Sequence, residues 1–183
     1  MDKAIRMRTR FALVVGLAAA GVAGVGIGYH HHAGTLTTAH RAVSVSIAKQ
    51  YGTLAELRRD ADVVALVSVE GAPIPSTRLA NIPTVDVELR IERVLVGTAQ
   101  VGDTITLVQI GDPTGHITVT NPIPPILRAG EHYVLYLNRQ YPDQPQMFLT
   151  GLAGVYEADA NIGFHRLGDV SPGLPRSATL DQF

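Results

Sequence analysis

His30, His31 and His32 stand in a row, with His40 nearby. They are the one cluster in this sequence whose residue types bind metal, since imidazole nitrogens take copper, nickel or zinc. Adjacent side chains point in different directions, so three in a row do not by themselves close a tetrahedral site. The competing reading is a polar stalk. The other histidines, His116, His132 and His165, are isolated. His116 and His132 sit beside turn residues at the edges of expected strands, which suits rim positions.

Serine, histidine and aspartate all occur, but no Gly-x-Ser-x-Gly elbow carries them. There is no glycine-rich phosphate loop, no His-Glu-x-x-His and no calcium loop. Glu56, Asp60, Asp62 and Glu131 fit caps and turns, and no carboxylate pair has a spacing that demands acid/base work. The expectation is therefore no catalytic residue, no cofactor and a non-enzymatic chain. A hydrolase would need a constellation built on His116 or His132.

The chain opens with Lys3, Arg6, Arg8 and Arg10, then runs uncharged from Phe11 to Tyr29. At 1.5 Å per residue, nineteen residues just span a hydrocarbon core of about 30 Å. Phe11, Leu13, Val14, Val15, Leu17, Val22, Val25, Ile27 and Tyr29 supply the apolar and interfacial surface. The basic tail stays inside and the rest goes out. The expected partner is thus the lipid bilayer through residues 11–29, as a single-pass anchor. The alternative is a secreted domain, because Gly21-Val22-Ala23 offers small residues for cleavage. Gly16, Ala20, Gly24 and Gly28 recur along one helix face, a spacing that permits helix pairing, although glycine and alanine are common throughout the segment. The oligomeric state stays open.

Residues 1–10 carry net charge +3 and the remainder −4. A mildly acidic domain lacks the clustered basic face that nucleic acid requires. It has no tryptophan and ten phenylalanines plus tyrosines, so no stacking platform is evident. Without cysteine there is no disulfide or thiolate site, which leans toward a bacterial envelope.

After a juxtamembrane stalk at 30–52 (Ala39–Gln50 reads as short helix or strand), Thr53-Leu54-Ala55-Glu56 is a capping box opening a helix to about Arg59. Val63–Val69 is a β-branched strand. Thr84–Val96 alternates Val85, Val87, Leu89 and Ile91 against Asp86, Glu88, Arg90 and Glu92, a long strand with one wet face. Val94-Leu95-Val96 breaks the alternation, which predicts a bulge or bend before Gly97. Thr104–Ile110, His116–Thr120, His132–Asn138, Met147–Thr150 and Gly154–Ala158 follow as strands. Gly71–Pro83 and Gly111–Leu127 are long, proline-rich loops. Residues 168–183 read as a loose tail, leaving a β domain at 53–167.

The order of these signals resembles that of uncharacterised actinobacterial membrane-anchored or secreted proteins. The resemblance rests on Leu54-Ala55-Glu56-Leu57, Ala61–Val67, Arg93-Val94-Leu95-Val96-Gly97, Gly102–Leu107 and Ala129–Leu137. More distantly the chain is similar to the OB-like barrel of netrin and metalloproteinase-inhibitor modules. Six or so strands with few helices predict a mainly β fold, a small antiparallel barrel or sandwich with one short helix behind an N-terminal transmembrane helix, and the resemblance implies that the barrel is OB-like. The inhibitors' chelating N-terminal cysteine is absent, so no inhibitory residue carries over.

The expected function is a non-enzymatic, membrane-tethered envelope module that binds a protein or envelope partner. Ile74, Leu79 and Ile82 in one loop, with Ile123, Ile126 and Leu127 in the other, are the candidate partner-binding residues. Their competing role is to fold back and cap the core. The alternative function is an extracytoplasmic metal-binding protein using His30–His32.

Overall fold

A computed structural model describes residues 15–16, 41–45, 50–79, 82–114, 117–119, 123–139, 143–159, 163–169 and 171–183. Two short strands come first, β1 (Val15–Gly16) and β2 (Arg41–Val45), followed by helix α1 (Leu54–Asp60) and strand β3 (Val63–Val69). Then come β4 (Ile74–Ser76), β5 (Thr84–Val96), β6 (Thr104–Ile110), β7 (Ile117–Val119), β8 (His132–Asn138) and β9 (Met147–Ala158). β10 (Phe164–Arg166), β11 (Ser177–Ala178) and a 3-10 turn at Leu180–Gln182 complete the order. The protein is mainly β with one short α-helix.

The main sheet runs in the order β11-β10-β9-β6-β5-β3-β8, with β4 paired to β5 and a further pairing of β8 with β9. All these pairings are antiparallel except β6 with β9. β2 pairs β1 antiparallel and β7 in parallel, apart from that sheet.

The alternation in β5 sorts its side chains as the sequence predicts. Val85, Val87, Leu89 and Ile91 are buried, whereas Glu88 and Arg90 are exposed. The predicted break also appears. Val64 and Ala65 face Val96 and Val94, so Leu95 is an extra residue, and a second shift leaves Glu92 extra between Ile91 and Arg93. Two extra residues on one strand bend and twist it. Gly97 ends the bend at φ +96, where an added Cβ would lie 2.2 Å from the Asp62 carbonyl oxygen. Only glycine fits there.

β3 and β8 are buried on both faces, and this divides the interior in two. Val63, Val67, Leu89, Ile91, Leu107, Tyr133, Leu135, Leu137, Phe148 and Val155 belong to the first core. On the other face Val64, Val134, Tyr136 and Tyr156 pack with Tyr51, Leu57, Phe164, Leu174, Ala178 and Phe183. Gly154 lets β9 approach closely, since a Cβ there would sit 2.7 Å from that of Tyr136.

α1 opens as its sequence predicts. The Thr53 hydroxyl accepts from the Glu56 amide at 3.2 Å. The Glu56 carboxylate reaches back one residue further than a capping box requires, accepting from the Gly52 amide at 2.9 Å. Leu57 faces the second core.

Four expectations need correction. The Gly71–Pro83 loop contains β4; Pro75 is tolerated because β4 pairs only with β5 among the described residues. Met147–Thr150 and Gly154–Ala158 are one strand rather than two. Residues 168–183 are no loose tail: Ser171, Leu174, Ala178 and Phe183 are buried. Tyr51, assigned to the stalk, is buried in the second core, and its amide donates to Ser171 Oγ at 3.2 Å. The β domain therefore runs from Tyr51 to Phe183.

Val15 and Gly16 fall inside the expected membrane helix but are extended and paired with Val45 and Ser44. The remainder of 11–29, and with it Ala20, Gly24 and Gly28, lies outside the described residues. No helix among the described residues is long and apolar enough to cross a membrane.

Candidate functional site

The two proline-rich loops are pinned to the domain by polar contacts. Gln109 is buried on β6; its side-chain nitrogen donates to the Pro125 carbonyl at 2.7 Å, and its oxygen accepts from the Leu127 amide at 3.1 Å. Thr84 does the same for the other loop, bonding the Ser76 carbonyl at 3.0 Å. These contacts decide most of the loop residues' roles. Ile82 and Leu127 are buried, and Ile126 packs against the first core. Leu79 and Ile123 pack against a small cluster of Ile82 and Ile110. Ile82 and Leu127 are thus corrected from partner-binding to core residues, because their side chains fold inward beneath the pinned loops. Ile74, on the edge strand β4, stays 66% exposed.

The metal-type residues His30, His31, His32 and His40 lie outside the described residues, as does His116. Among the described residues no group of three histidine, cysteine or carboxylate side chains could hold a metal ion. His132 is a rim histidine as expected, exposed, with Nδ1 3.0 Å from Glu92 Oε2.

At the end of the sheet the fold assembles a polar relay that the sequence reading missed. Asp159 follows β9 and His165 lies on β10, and Asp159 and Gly163 bond each other. The Asp159 amide donates to the Gly163 carbonyl, and the Gly163 amide donates to Asp159 Oδ1, both at 2.9 Å. The second carboxylate oxygen, Oδ2, lies 2.8 Å from His165 Nε2. The other ring nitrogen, Nδ1, lies 2.9 Å from the Ser177 hydroxyl on β11.

Strand register brings these side chains together. His165 faces Ser177 across β10 and β11. The Arg166 amide bonds the Arg176 carbonyl at 2.9 Å, so the adjacent His165–Ser177 pair is of the non-hydrogen-bonded kind, whose side chains come closest. Arg166 holds the intervening loop. Its guanidinium, 2% exposed, donates to the carbonyls of Ser171 and Leu174 and pairs with Asp169. His165, Arg166, Gly168, Asp169, Arg176 and Ser177 line an open cleft of about 460 Å³.

A second network lies across β8 and β9. The Tyr133 hydroxyl donates to Glu157 Oε1 at 3.2 Å and accepts from the Arg128 amide at 3.2 Å, while the Arg128 guanidinium pairs with the same carboxylate. Burial raises the Tyr133 phenol above its ordinary range. The network ties the loop before β8 to β9.

Sequence reading passed over the relay because residues 168–183, and hence Ser177, read as tail. The available signal was an aspartate and a histidine, Asp159 and His165, six positions apart around Gly163. Compared with known proteins, the chain matches no family model, no curated protein and no solved structure.

Proposed function

We propose that the chain is a cell-envelope module: a small OB-like β-barrel, tethered outside the membrane by residues 11–29, that binds a protein or envelope partner. The observation that carries the barrel is a circuit of strand pairings. β3 pairs β5, β5 pairs β6, β6 pairs β9, β9 pairs β8, and β8 pairs β3. Such a circuit, with five strands and one parallel contact between the third and the last, supports an OB-like reading. The two extra residues on β5 supply the bend that closure needs. The first core then fills the interior with side chains, so binding falls to the outside.

Export is supported by the basic tail, the uncharged stretch that follows it and the acidic remainder. Ile74 marks the binding face in this reading. It is a large apolar side chain left in water on a strand with one partner among the described residues, and an edge strand is a template for another chain.

Cross-linking and co-purification of the full-length chain from membranes tests the proposal. Ile74→Asp should lose the captured partner while the unfolding midpoint holds. Capture of the same partner at undiminished yield by Ile74→Asp would contradict it.

A further inference from the structure

We propose that Asp159, His165 and Ser177 form an acyl-transfer site, with Ser177 as nucleophile, at the β10–β11 end of the domain. This adds a chemical activity to the binding role and does not depend on where the domain is anchored.

A hydroxyl becomes a useful nucleophile when a base within hydrogen-bond reach takes its proton and a third group orients that base. Ser177 Oγ and His165 Nδ1 are 2.9 Å apart, and His165 Nε2 and Asp159 Oδ2 are 2.8 Å apart. Asp159 is itself held by the Gly163 amide. The carboxylate accepts from Nε2–H, which fixes the tautomer with a lone pair on Nδ1 facing the hydroxyl.

The relay opens on the cleft rather than the core: His165 is 57% exposed, and Ser177 lines the cleft. Arg176 lines the same cleft with its side chain 85% exposed, and its pairing with Asp169 is loose at 4.0 Å. As a cleft-lining cation it draws in acyl groups that carry negative charge.

The step balances with water as the only co-reactant. Ser177 Oγ bonds to the carbonyl carbon of an ester as its proton passes to Nδ1. The carbon–oxygen bond to the leaving alcohol breaks, and that alcohol takes the proton from Nδ1. Water then attacks the acyl-serine through the same base, releasing a carboxylic acid and restoring the hydroxyl. An open cleft with an arginine at its side suits small activated acyl esters, acidic ones preferentially.

The test uses the full-length chain, a fluorophosphonate probe and p-nitrophenyl acetate, with the labelled residue mapped by mass spectrometry. The expected result is one label, on Ser177, with none on S177A, and ester hydrolysis falling to the uncatalysed rate in S177A. H165Q should slow labelling by about 100-fold or more, the scale of a lost general base. Ser177 is exposed, so S177A should fold, and an unchanged unfolding midpoint verifies this. No labelling of the wild-type chain, equal labelling of S177A, or an unchanged rate in H165Q would each overturn the proposal.

Discussion

The ring of Phe183 meets that of Tyr156 edge-on, with centroids 4.9 Å apart and planes at 71°. Phe164 and Tyr136 approach the same phenylalanine in edge geometry, at 5.5 and 6.3 Å. Edge contacts of this kind stabilise beyond the area that the rings bury. Phe183 is thereby the centre of the second core. Phe183→Ala should lower stability by about 3–5 kcal/mol. Urea unfolding followed by tyrosine fluorescence checks it; a loss below about 0.5 kcal/mol would mean that residues 168–183 are the loose tail the sequence suggested.

Gly97 and Gly102 offer an internal control for backbone strain. Both have positive φ, +96 and +90. A Cβ at Gly102 meets nothing within 4 Å, whereas one at Gly97 strikes the Asp62 carbonyl oxygen. Gly102→Ala should cost about 1 kcal/mol, the conformational penalty alone. Gly97→Ala should cost clearly more, because β3 and the end of β5 must move apart. Thermal melts of the two variants side by side decide it.

Gln109 holds the 123–127 loop with both ends of its amide. Gln109→Leu leaves the Leu127 amide and the Pro125 carbonyl without that partner. A buried orphan costs about 1–3 kcal/mol. The loop amide of Leu127 should exchange its hydrogen faster in this variant, while amides in β3 keep their protection.

Burial raises the phenols of Tyr51, Tyr136 and Tyr156, the last to about 12. For Tyr51 the Asp60 carboxylate adds to the rise, and for Tyr156 the charge of Arg166 opposes it. An unfolded tyrosine loses its proton near pH 10. These groups therefore contribute stability that is present below pH 10 and is lost as pH rises toward the folded values. Chemical denaturation repeated from pH 8 to pH 12 should show a decline that begins near pH 10. A flat profile through pH 11 would contradict the burial of these rings.

The fold was legible wherever one face of a strand is dry and the other wet. β5 shows this best: its alternation, and even its break at Leu95, can be read residue by residue. β3 was legible from its β-branched run. The second core was not, because β8 hides it. Val134 and Tyr136 alternate with Tyr133 and Leu135 in a run that is apolar on both faces, and periodicity cannot say what covers each face. The cover comes from Phe164, Leu174 and Phe183, isolated among glycines, prolines and polar residues that signal a tail. Ser177 was lost with them. The relay depends on cross-strand register between the end of β9 and two short strands, and register between the three-residue β10 and the two-residue β11 leaves no periodic trace in sequence.

The proposed tether at residues 11–29 holds the β domain outside a membrane, and this can be checked in cells. Fractionation of the expressing cells, with intact mass of the species in each fraction and protease added to whole cells and then to lysed ones, tests it most directly. The proposed tether requires a full-length chain in the membrane fraction, with residues 51–183 reached by reagents from outside. A full-length chain that is soluble in the cytoplasm and shielded until lysis would contradict it.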